Sequence, residues 1–213
     1  MNPVMSNLMI QSIEETHGFG WTAKRGIALV RGSGATIWDA EGNSYIDCAA
    51  GNGTALLGHC HPAIAEAVTT QAQRLITCND AFSNDIRAEL LEALSERLPG
   101  KPERLFLCNS GTEAVEAALK IARAVTGRTG VIAALRGFHG RTFGALSATG
   151  TKKYRDPFEP LVPGFSHVPF EDIEAMDTAI NEETAAVILE VIQGEGGVCP
   201  GSKENFHAVQ PLC

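Results

Sequence analysis

The second half of the chain alternates short apolar runs with amphipathic stretches. The apolar runs, which have the composition of strands, lie at 105–108, 131–135, 166–170 and 186–191. The stretches between them carry apolar residues at helical spacing and predict helices at 112–127 and 172–180. Near-continuous apolar strands between helices are typical of a parallel sheet covered on both faces. The pattern therefore predicts an α/β fold with a mainly parallel sheet flanked by helices.

The first half of the chain has a different pattern. Residues 1–20 lack a strong period, and we expect an arm or a short irregular helix there. Segments 35–39 and 44–48 have strand-like composition and are joined by a turn-forming Ala-Glu-Gly-Asn sequence at 40–43. This arrangement predicts a small antiparallel β unit near the N-terminus.

Two helices are predicted to follow this unit. Pro62 suits the first position of a helix, and Asn84 is the expected cap of the next one. The apolar residues of the second helix are expected to face inward: Ile86, Leu90, Leu91, Leu94 and Leu98. We expect residues 1–55 to form an N-terminal arm and part of a small domain. Residues 56–213 are then the N-terminal part of a large α/β domain.

Composition narrows the possible classes of protein. The chain has 213 residues, of which 44% are hydrophobic and 20% charged, as in a globular protein with a substantial core. A net charge of −8 without a Lys/Arg block argues against nucleic acid as a partner. No signal peptide and no long apolar stretch are visible, so no membrane association is expected. The six cysteines form no Cys-x-x-Cys pair, which favours a cytoplasmic protein.

Residues 104–127 carry the first candidate for chemistry. A predicted strand runs into a tight turn at 109–111, and a helix follows that ends at Gly127. The amides of a first helical turn lack internal partners and lie at the positive end of the helix dipole. Ser110 and Thr112 add hydroxyl donors, and Gly111 allows close approach, so the segment suits a phosphate group. An ordinary capped helix after a strand explains the same residues equally well.

A second candidate loop, 137–142, follows the predicted strand at 131–135. In α/β sheets, ligands bind beyond the carboxyl ends of the strands. Phe138 could stack on a flat ring, and the planar guanidinium of Arg141 suits a carboxylate. The alternative is that Phe138 belongs to the core and Arg141 is an ordinary surface residue.

A third candidate loop, 190–197, follows the predicted strand at 186–191. It presents Glu190, Gln193 and Glu195 on a backbone rich in glycine. Charged residues after a buried strand are often simply solvated. Three such loops in succession, with phosphate donors, an aromatic residue with Arg, and carboxylates, are more informative together than any one alone.

Three further motifs are more simply structural. The His59-Cys60-His61 sequence contains possible metal ligands, but no second ligand cluster is visible, so a turn is favoured and no metal site is predicted. The glycine pairs at 32–34 and 51–53 lack the third glycine of a dinucleotide-binding fingerprint, because Ile37 and Leu56 occupy that position.

Taken in order, these residues closely resemble the class III aminotransferases, which are pyridoxal-phosphate enzymes of fold type I. The motifs that carry the resemblance lie at 31–43, 45–47, 58–62, 109–114, 137–142 and 193–197. Within the family, Phe138 to Arg141 and the Lys-Tyr-Arg-Asp-Pro-Phe sequence at 153–158 are most similar to the acetylornithine type and its relatives that act on carrier-linked lysine. The resemblance implies a fold type I sheet that is incomplete in this chain.

The resemblance also implies roles for the candidate residues. Ser110, Gly111 and Thr112 would hold the cofactor phosphate. Phe138 would stack on the pyridine ring, with His139 nearby.

The substrate roles come from the same resemblance. Arg141 would pair with the α-carboxylate of the substrate. Glu195 would gate the arginine that binds the second substrate carboxylate, with Glu190 and Gln193 supporting its loop. That arginine itself lies beyond residue 213 in the family pattern.

The implied reaction moves the terminal amino group of an N-acylated diamino acid to 2-oxoglutarate, in arginine or lysine biosynthesis. A homodimer is expected for the full-length form. The family's Schiff-base lysine and its Asp-Glu-x-Gln segment lie beyond residue 213, so no catalytic residue is assigned here and the isolated chain is expected to be inactive. Two alternatives stay open: an ornithine or 4-aminobutyrate type of class III enzyme, and a truncated, non-catalytic fragment.

Overall fold

The computed structural model describes residues 5–20 and 23–213. It divides into two compact units, Met1–Leu90 and Leu91–Cys213. The predicted boundary between residues 55 and 56 concerns the domains of the complete family fold, and it stays a prediction. Among the described residues, no helix is long and apolar enough to cross a membrane.

The elements of the first unit begin with a helix. In chain order they are α1 (Asn7–His17), β1 (Leu29–Ser33), β2 (Thr36–Asp39), β3 (Ser44–Ile46), the short turn α2 (Ala50–Gly53), α3 (Pro62–Ala72) and α4 (Asp85–Arg97), which continues past Leu90. Residues 1–4, 21 and 22 lie outside the described part. Within the predicted arm, Asn7–His17 form a regular helix, and the Ser6 side chain caps its start by accepting from the Met9 amide.

The predicted antiparallel unit is present, and β1 adds a third strand to it. The strands pair in the order β1-β2-β3, and Ile37 lies opposite Tyr45. Asp39, only 2% exposed, ends β2 and accepts hydrogen bonds from the side chains of Asn7, Asn43 and Tyr45. These bonds, first that from Asn43, hold the pKa of the Asp39 carboxyl below its usual value. A buried carboxylate with several donors ties the hairpin to the start of α1.

Helices α3 and α4 begin where the sequence predicts. Pro62 is the first residue of α3, and the Asn84 side chain accepts from the Arg87 amide at 3.0 Å. No residue of either helix is buried, however, and the inward-facing prediction is wrong for the exposed Ile86, Leu90 and Leu98. Apolar spacing shows which face of a helix can be covered; it does not supply the covering element.

The second unit contains the parallel sheet. Its elements are α5 (Gly111–Thr126), β4 (Gly130–Ala134), α6 (Phe143–Ala148), α7 (Lys152–Arg155), β5 (Phe165–Val168), α8 (Ile173–Ala179), β6 (Thr184–Ile188), β7 (Ile192–Gln193), β8 (Cys199–Pro200) and α9 (Lys203–Val209). Short 3₁₀ turns follow α7 and α9 at Asp156–Phe158 and Gln210–Leu212.

Strand β4 lies in the middle of this sheet, with β5 and β6 parallel to it on either side. Its residues Val131 to Ala134 are buried, which explains their unbroken apolar sequence. The core on one face is formed by Ile132, Val168, Met176 and Val209, with α8 packed against it. The α/β prediction and the parallel sheet are therefore confirmed.

One predicted strand is absent. Residues 105–108 form no strand, and Phe106 is 67% exposed. A strand requires a partner that takes its backbone hydrogen bonds, and no described strand pairs with this segment. Its apolar composition shows only that it is suited to a sheet. The loop predicted at 190–197 also differs, because β7 and β8 pair there as a small antiparallel hairpin.

Candidate active site

The N-terminus of α5 is organised by a capping box. The Ser110 hydroxyl accepts from the Glu113 amide at 3.3 Å, and the Glu113 carboxylate accepts from the Asn109 amide at 2.9 Å and from the Ser110 hydroxyl at 3.0 Å. The Ser110 hydroxyl bond and then those of Asn109 lower the pKa of the Glu113 carboxyl. At the other end, Gly127 adopts φ 69° and closes the helix. The predicted helix and both of its ends are confirmed.

The donors left at this helix end are mainly backbone amides. Within the described chain, the amides of Gly111 and Thr112 make no hydrogen bond. A Cβ added at Gly111 would meet nothing within 4 Å, so the space beside them is open. The Ser110 hydroxyl is already committed to Glu113. An anion at this position would therefore be held chiefly by the two amides and the helix dipole.

A relay of side chains joins α5 to the loop after β4. The Thr112 hydroxyl lies 2.9 Å from that of Thr142, which donates to the Glu116 carboxylate. The same carboxylate accepts from the Ala145 amide at 3.0 Å. Gly140 adopts φ 143°, and a Cβ there would lie 2.2 Å from the Thr112 hydroxyl. Only glycine permits so close an approach, so the first two predicted loops meet at this point.

The loop after β4 is also tied to the loop after β6. The Phe138 amide donates to the Glu190 carboxylate at 2.9 Å. The Gln193 side chain, 1% exposed, donates to the Leu135 carbonyl at 2.9 Å. Parallel strands end at one edge of a sheet, and these two bonds hold the β4 and β6 loops together there. Glu190 and Gln193 thus act structurally in the described chain.

His139 belongs to the same loop and is buried. Its amide donates to the Thr149 hydroxyl at 3.0 Å, while its ring atom Nε2 is buried without a partner among the described residues. Burial lowers the pKa of the His139 ring, and the nearby Glu190 charge opposes that effect. The ring is therefore favoured in its neutral form.

Arg141 and Glu195 are both exposed on this edge of the second unit. Arg141 forms no hydrogen bond or ion pair with any residue that the structure describes. Glu195 accepts a hydrogen bond from the Tyr154 hydroxyl at 2.5 Å. The Tyr154 ring also meets Phe138 edge-on, with 6.2 Å between the ring centroids. Tyr154 therefore joins the second and third predicted loops.

The structure brings the three predicted loops together within one unit. No role was predicted for Glu116, Thr142 or Tyr154, which make the connecting contacts. Tyr154 lies within a segment that supported the family resemblance, so a signal for it was available. Glu116 has the pattern of an ordinary helix-face residue, and nothing local distinguishes it.

Two cavities lie away from this edge. One, of about 320 Å³, lies at the opposite end of the sheet, beside Thr129, Gly164 and Glu183. The other, of about 270 Å³, lies in the first unit beside Leu75 and Arg87. At the candidate site the space beside Gly111 is open, and Arg141 and Glu195 are exposed.

The residues present fit a phosphorylated aromatic cofactor. The open space at Gly111 with two unpaired amides suits a phosphate, and Phe138 offers a half-buried ring a loop away. The Glu113 carboxylate, which holds the Asn109 amide, limits how far a dianion can extend toward that side. No group of three or more possible metal ligands occurs among the described residues.

Comparison with known proteins agrees with this site. Residues 21–213 match the family model described as aminotransferase class-III. The chain is 54% identical over 187 residues to the acetylornithine aminotransferase of Methanopyrus kandleri, covering 88% of this chain and 48% of that protein. It is 48% identical over 201 residues to the [LysW]-aminoadipate semialdehyde transaminase of Deinococcus radiodurans, covering 93% and 47%. The chain thus spans about half the length of these curated relatives.

Solved structures show the same fold. The ornithine aminotransferase from Toxoplasma gondii, in a structure with partial occupancy of PLP, superimposes with a TM-score of 0.90 at 31% identity, covering 99% of this chain and 51% of that one. The taurine:2-oxoglutarate aminotransferase from Bifidobacterium kashiwanohense, in complex with PLP and glutamate, gives a TM-score of 0.91 at 24% identity, covering 98% and 53%, and supports the fold alone. From the matched motifs, the converging loops and these relatives, the chain belongs to the class III aminotransferases, a family of pyridoxal-phosphate-dependent enzymes.

Proposed function

We propose that this chain supplies the phosphate-binding and α-carboxylate-binding part of an aminotransferase of the acetylornithine type. The reaction would transfer the terminal amino group of an N-acylated diamino acid to 2-oxoglutarate. The proposal is supported by the 54% identity to an acetylornithine aminotransferase and by several similar [LysW]-semialdehyde transaminases. A role in arginine or lysine biosynthesis, a homodimeric assembly and a cytoplasmic location belong to the same proposal.

The cofactor-binding part of the proposal uses five residues. Ser110 fixes the turn, and the amides of Gly111 and Thr112 hold the phosphate at the positive end of α5. Phe138 covers one face of the pyridine ring, and the His139 amide anchors the loop to the Thr149 hydroxyl. Bound pyridoxal phosphate would supply an electron sink for the substrate carbon that loses a proton.

Arg141 carries the substrate part of the proposal. Its guanidinium is exposed and unpaired in the described chain, three residues beyond Phe138. A free guanidinium can bind a carboxylate through two parallel hydrogen bonds. It would orient an amino acid so that its reacting amino group faces the cofactor. Glu195 would pair with the arginine that binds the second substrate carboxylate and release it when 2-oxoglutarate binds.

The test is a substrate panel on the complete enzyme that contains residues 1–213. We expect kcat/KM for N2-acetylornithine to exceed that for ornithine and 4-aminobutyrate by about tenfold or more, the range of one well-placed interaction. Arg141→Lys should lower kcat/KM for N2-acetylornithine by about 10- to 100-fold, because an ammonium cannot replace the planar fork.

Arg128→Lys is the matched control, since this exposed arginine donates to the Thr184 carbonyl at the opposite end of the sheet. It should leave kcat/KM unchanged. A preference for ornithine or 4-aminobutyrate would replace the proposal with another class III activity. If Arg141→Lys and Arg128→Lys lower kcat/KM equally, Arg141 does not bind the substrate carboxylate.

A further inference from the structure

Tyr154 makes two contacts that the family roles above do not use. It lies on the short helix α7, and its hydroxyl donates to the Glu195 carboxylate at 2.5 Å. Its ring stands nearly perpendicular to that of Phe138, with an interplanar angle of 83°. One side chain thus contacts both the proposed ring-stacking residue and the proposed gate.

We propose that Tyr154 is a positioning residue of the transamination, and that its hydroxyl is the resting partner of the Glu195 carboxylate whenever Glu195 releases the substrate-binding arginine. This inference rests on the proposed function. It adds a donor within this chain that decides how readily the gate opens for a dicarboxylic substrate.

A gate of this kind needs two partners for its carboxylate. If Glu195 could pair only with the arginine, opening would leave a carboxylate with water alone, and the closed state would be favoured. A ligand can shift such an equilibrium only through a difference between the two states. A donor that holds Glu195 in the open state lowers the free energy of opening, so less of the binding energy of 2-oxoglutarate is used to open the gate.

The surroundings of Tyr154 suit that role. Among the described residues, Glu195 forms no ion pair, and the Tyr154 phenol is its hydrogen-bond partner. The hydrogen bond to Glu195 is the main cause of a raised pKa of the Tyr154 hydroxyl, with burial and the Glu195 charge adding to it. The hydroxyl therefore keeps its proton and stays a donor. The Lys153 ammonium lies 5.0 Å from the centroid of the Tyr154 ring.

The ring contact explains why the donor is well placed. An edge-on aromatic pair restricts the orientation of both rings. Phe138 in turn is anchored through its amide to Glu190. The Tyr154 hydroxyl is thus held by a loop that is itself tied to Glu190, just after β6, and Glu195 lies in the turn between β7 and β8 that follows.

The hydrogen bond can be tested on the chain itself, because it contains only two tyrosines, Tyr45 and Tyr154. Both donate to a carboxylate, Tyr45 to Asp39 at 2.9 Å. With ζ-¹³C-labelled tyrosine, NMR titration should show Glu195→Gln moving the pKa of Tyr154 back toward about 10. Tyr45 is the internal control, and its titration should not change. A Tyr154 titration that is the same before and after Glu195→Gln would overturn the contact.

The role in the gate is tested by kinetics on the complete enzyme. Tyr154→Phe keeps the ring contact and removes only the hydroxyl. We expect KM for 2-oxoglutarate to rise about three- to tenfold, the effect of one partly exposed hydrogen bond to a charged group, while KM for the amino donor changes less than about twofold. Tyr45→Phe, which removes the equivalent bond in the first unit, should change neither KM.

The outcomes separate this inference from the proposed function. Equal rises in both KM values, or none, would refute the positioning role while leaving the acetylornithine activity in place. Absence of activity toward every donor in the panel would instead refute the proposed function, and the NMR result would still decide whether Tyr154 holds Glu195.

Discussion

His139 shows how burial sets chemistry at the scale of one residue. The residue is 9% exposed, and its ring atom Nε2 has no partner among the described residues. Protonation would place a charge where burial leaves it poorly solvated, so the folded state binds the proton less readily than the unfolded chain. His167 has the same tendency, because burial and then the neighbouring Arg155 charge lower its pKa.

A pH dependence of stability follows from the lowered pKa of His139. Above the pKa of the unfolded chain, near 6.5, the His139 ring is neutral in both states and its burial costs no stability. As pH falls below that pKa, the unfolded chain takes up a proton that the folded state binds less readily, so the free energy of unfolding falls. Urea unfolding between about pH 8 and about pH 5 should therefore show a falling free energy of unfolding, and His139→Gln should make the fall shallower.

His207→Gln, at an exposed position on α9, is the matched control for the loss of a histidine. An equally shallow slope in both variants would show that burial of the His139 ring is not the cause.

At the scale of an element, α5 is the part of the site that the sequence describes best. Its cap, its first-turn glutamate and its closing glycine act through residues only a few positions apart, so their pattern is visible in the chain. The apolar run at 105–108, directly before α5, is predicted to be a strand on equally good local grounds. The structure has no strand there. Pairing depends on a partner far away in sequence, which no local pattern reveals.

Removal of the α5 cap tests this description. Ser110→Ala should lower the free energy of unfolding by about 1 kcal/mol, because the Glu113 amide loses its acceptor and the Glu113 carboxylate loses a donor. Ser110→Asn, which restores an acceptor at the cap, should retain most of the stability.

Urea unfolding monitored by circular dichroism measures both variants. Equal losses in Ser110→Ala and Ser110→Asn would contradict a capping role for the Ser110 oxygen.

At the scale of the whole molecule, the chain divides into two compact units. The candidate site lies within the second unit. The edge where three loops converge is exposed at Arg141 and Glu195, and the space beside Gly111 is open. A ligand on an open surface keeps much of its contact with water and is held less firmly than one that is enclosed.

The 213-residue chain alone should therefore bind pyridoxal phosphate weakly and show no transamination. None of its lysines lies in a motif that matches the family's Schiff-base position. Absorbance of the cofactor after desalting measures retention, and conversion of N2-acetylornithine with 2-oxoglutarate measures activity. Gly140→Ala, whose Cβ would strike Thr112, should weaken even the reversible binding. Cofactor that survives desalting, or any conversion, would contradict this expectation.

The sequence by itself determined the local features: the α/β order of elements, the ends of α5, the hairpin of the first unit and the three loops that carry candidate residues. These depend on contacts between neighbours in the chain. Only the tertiary structure decided which long-range contacts join the loops, such as Thr142 with Glu116, 26 residues apart, and Tyr154 with Glu195, 41 apart. It also decided which apolar faces are covered. The reason is physical: composition fixes what a side chain can bind, but the folded backbone fixes what stands within its reach.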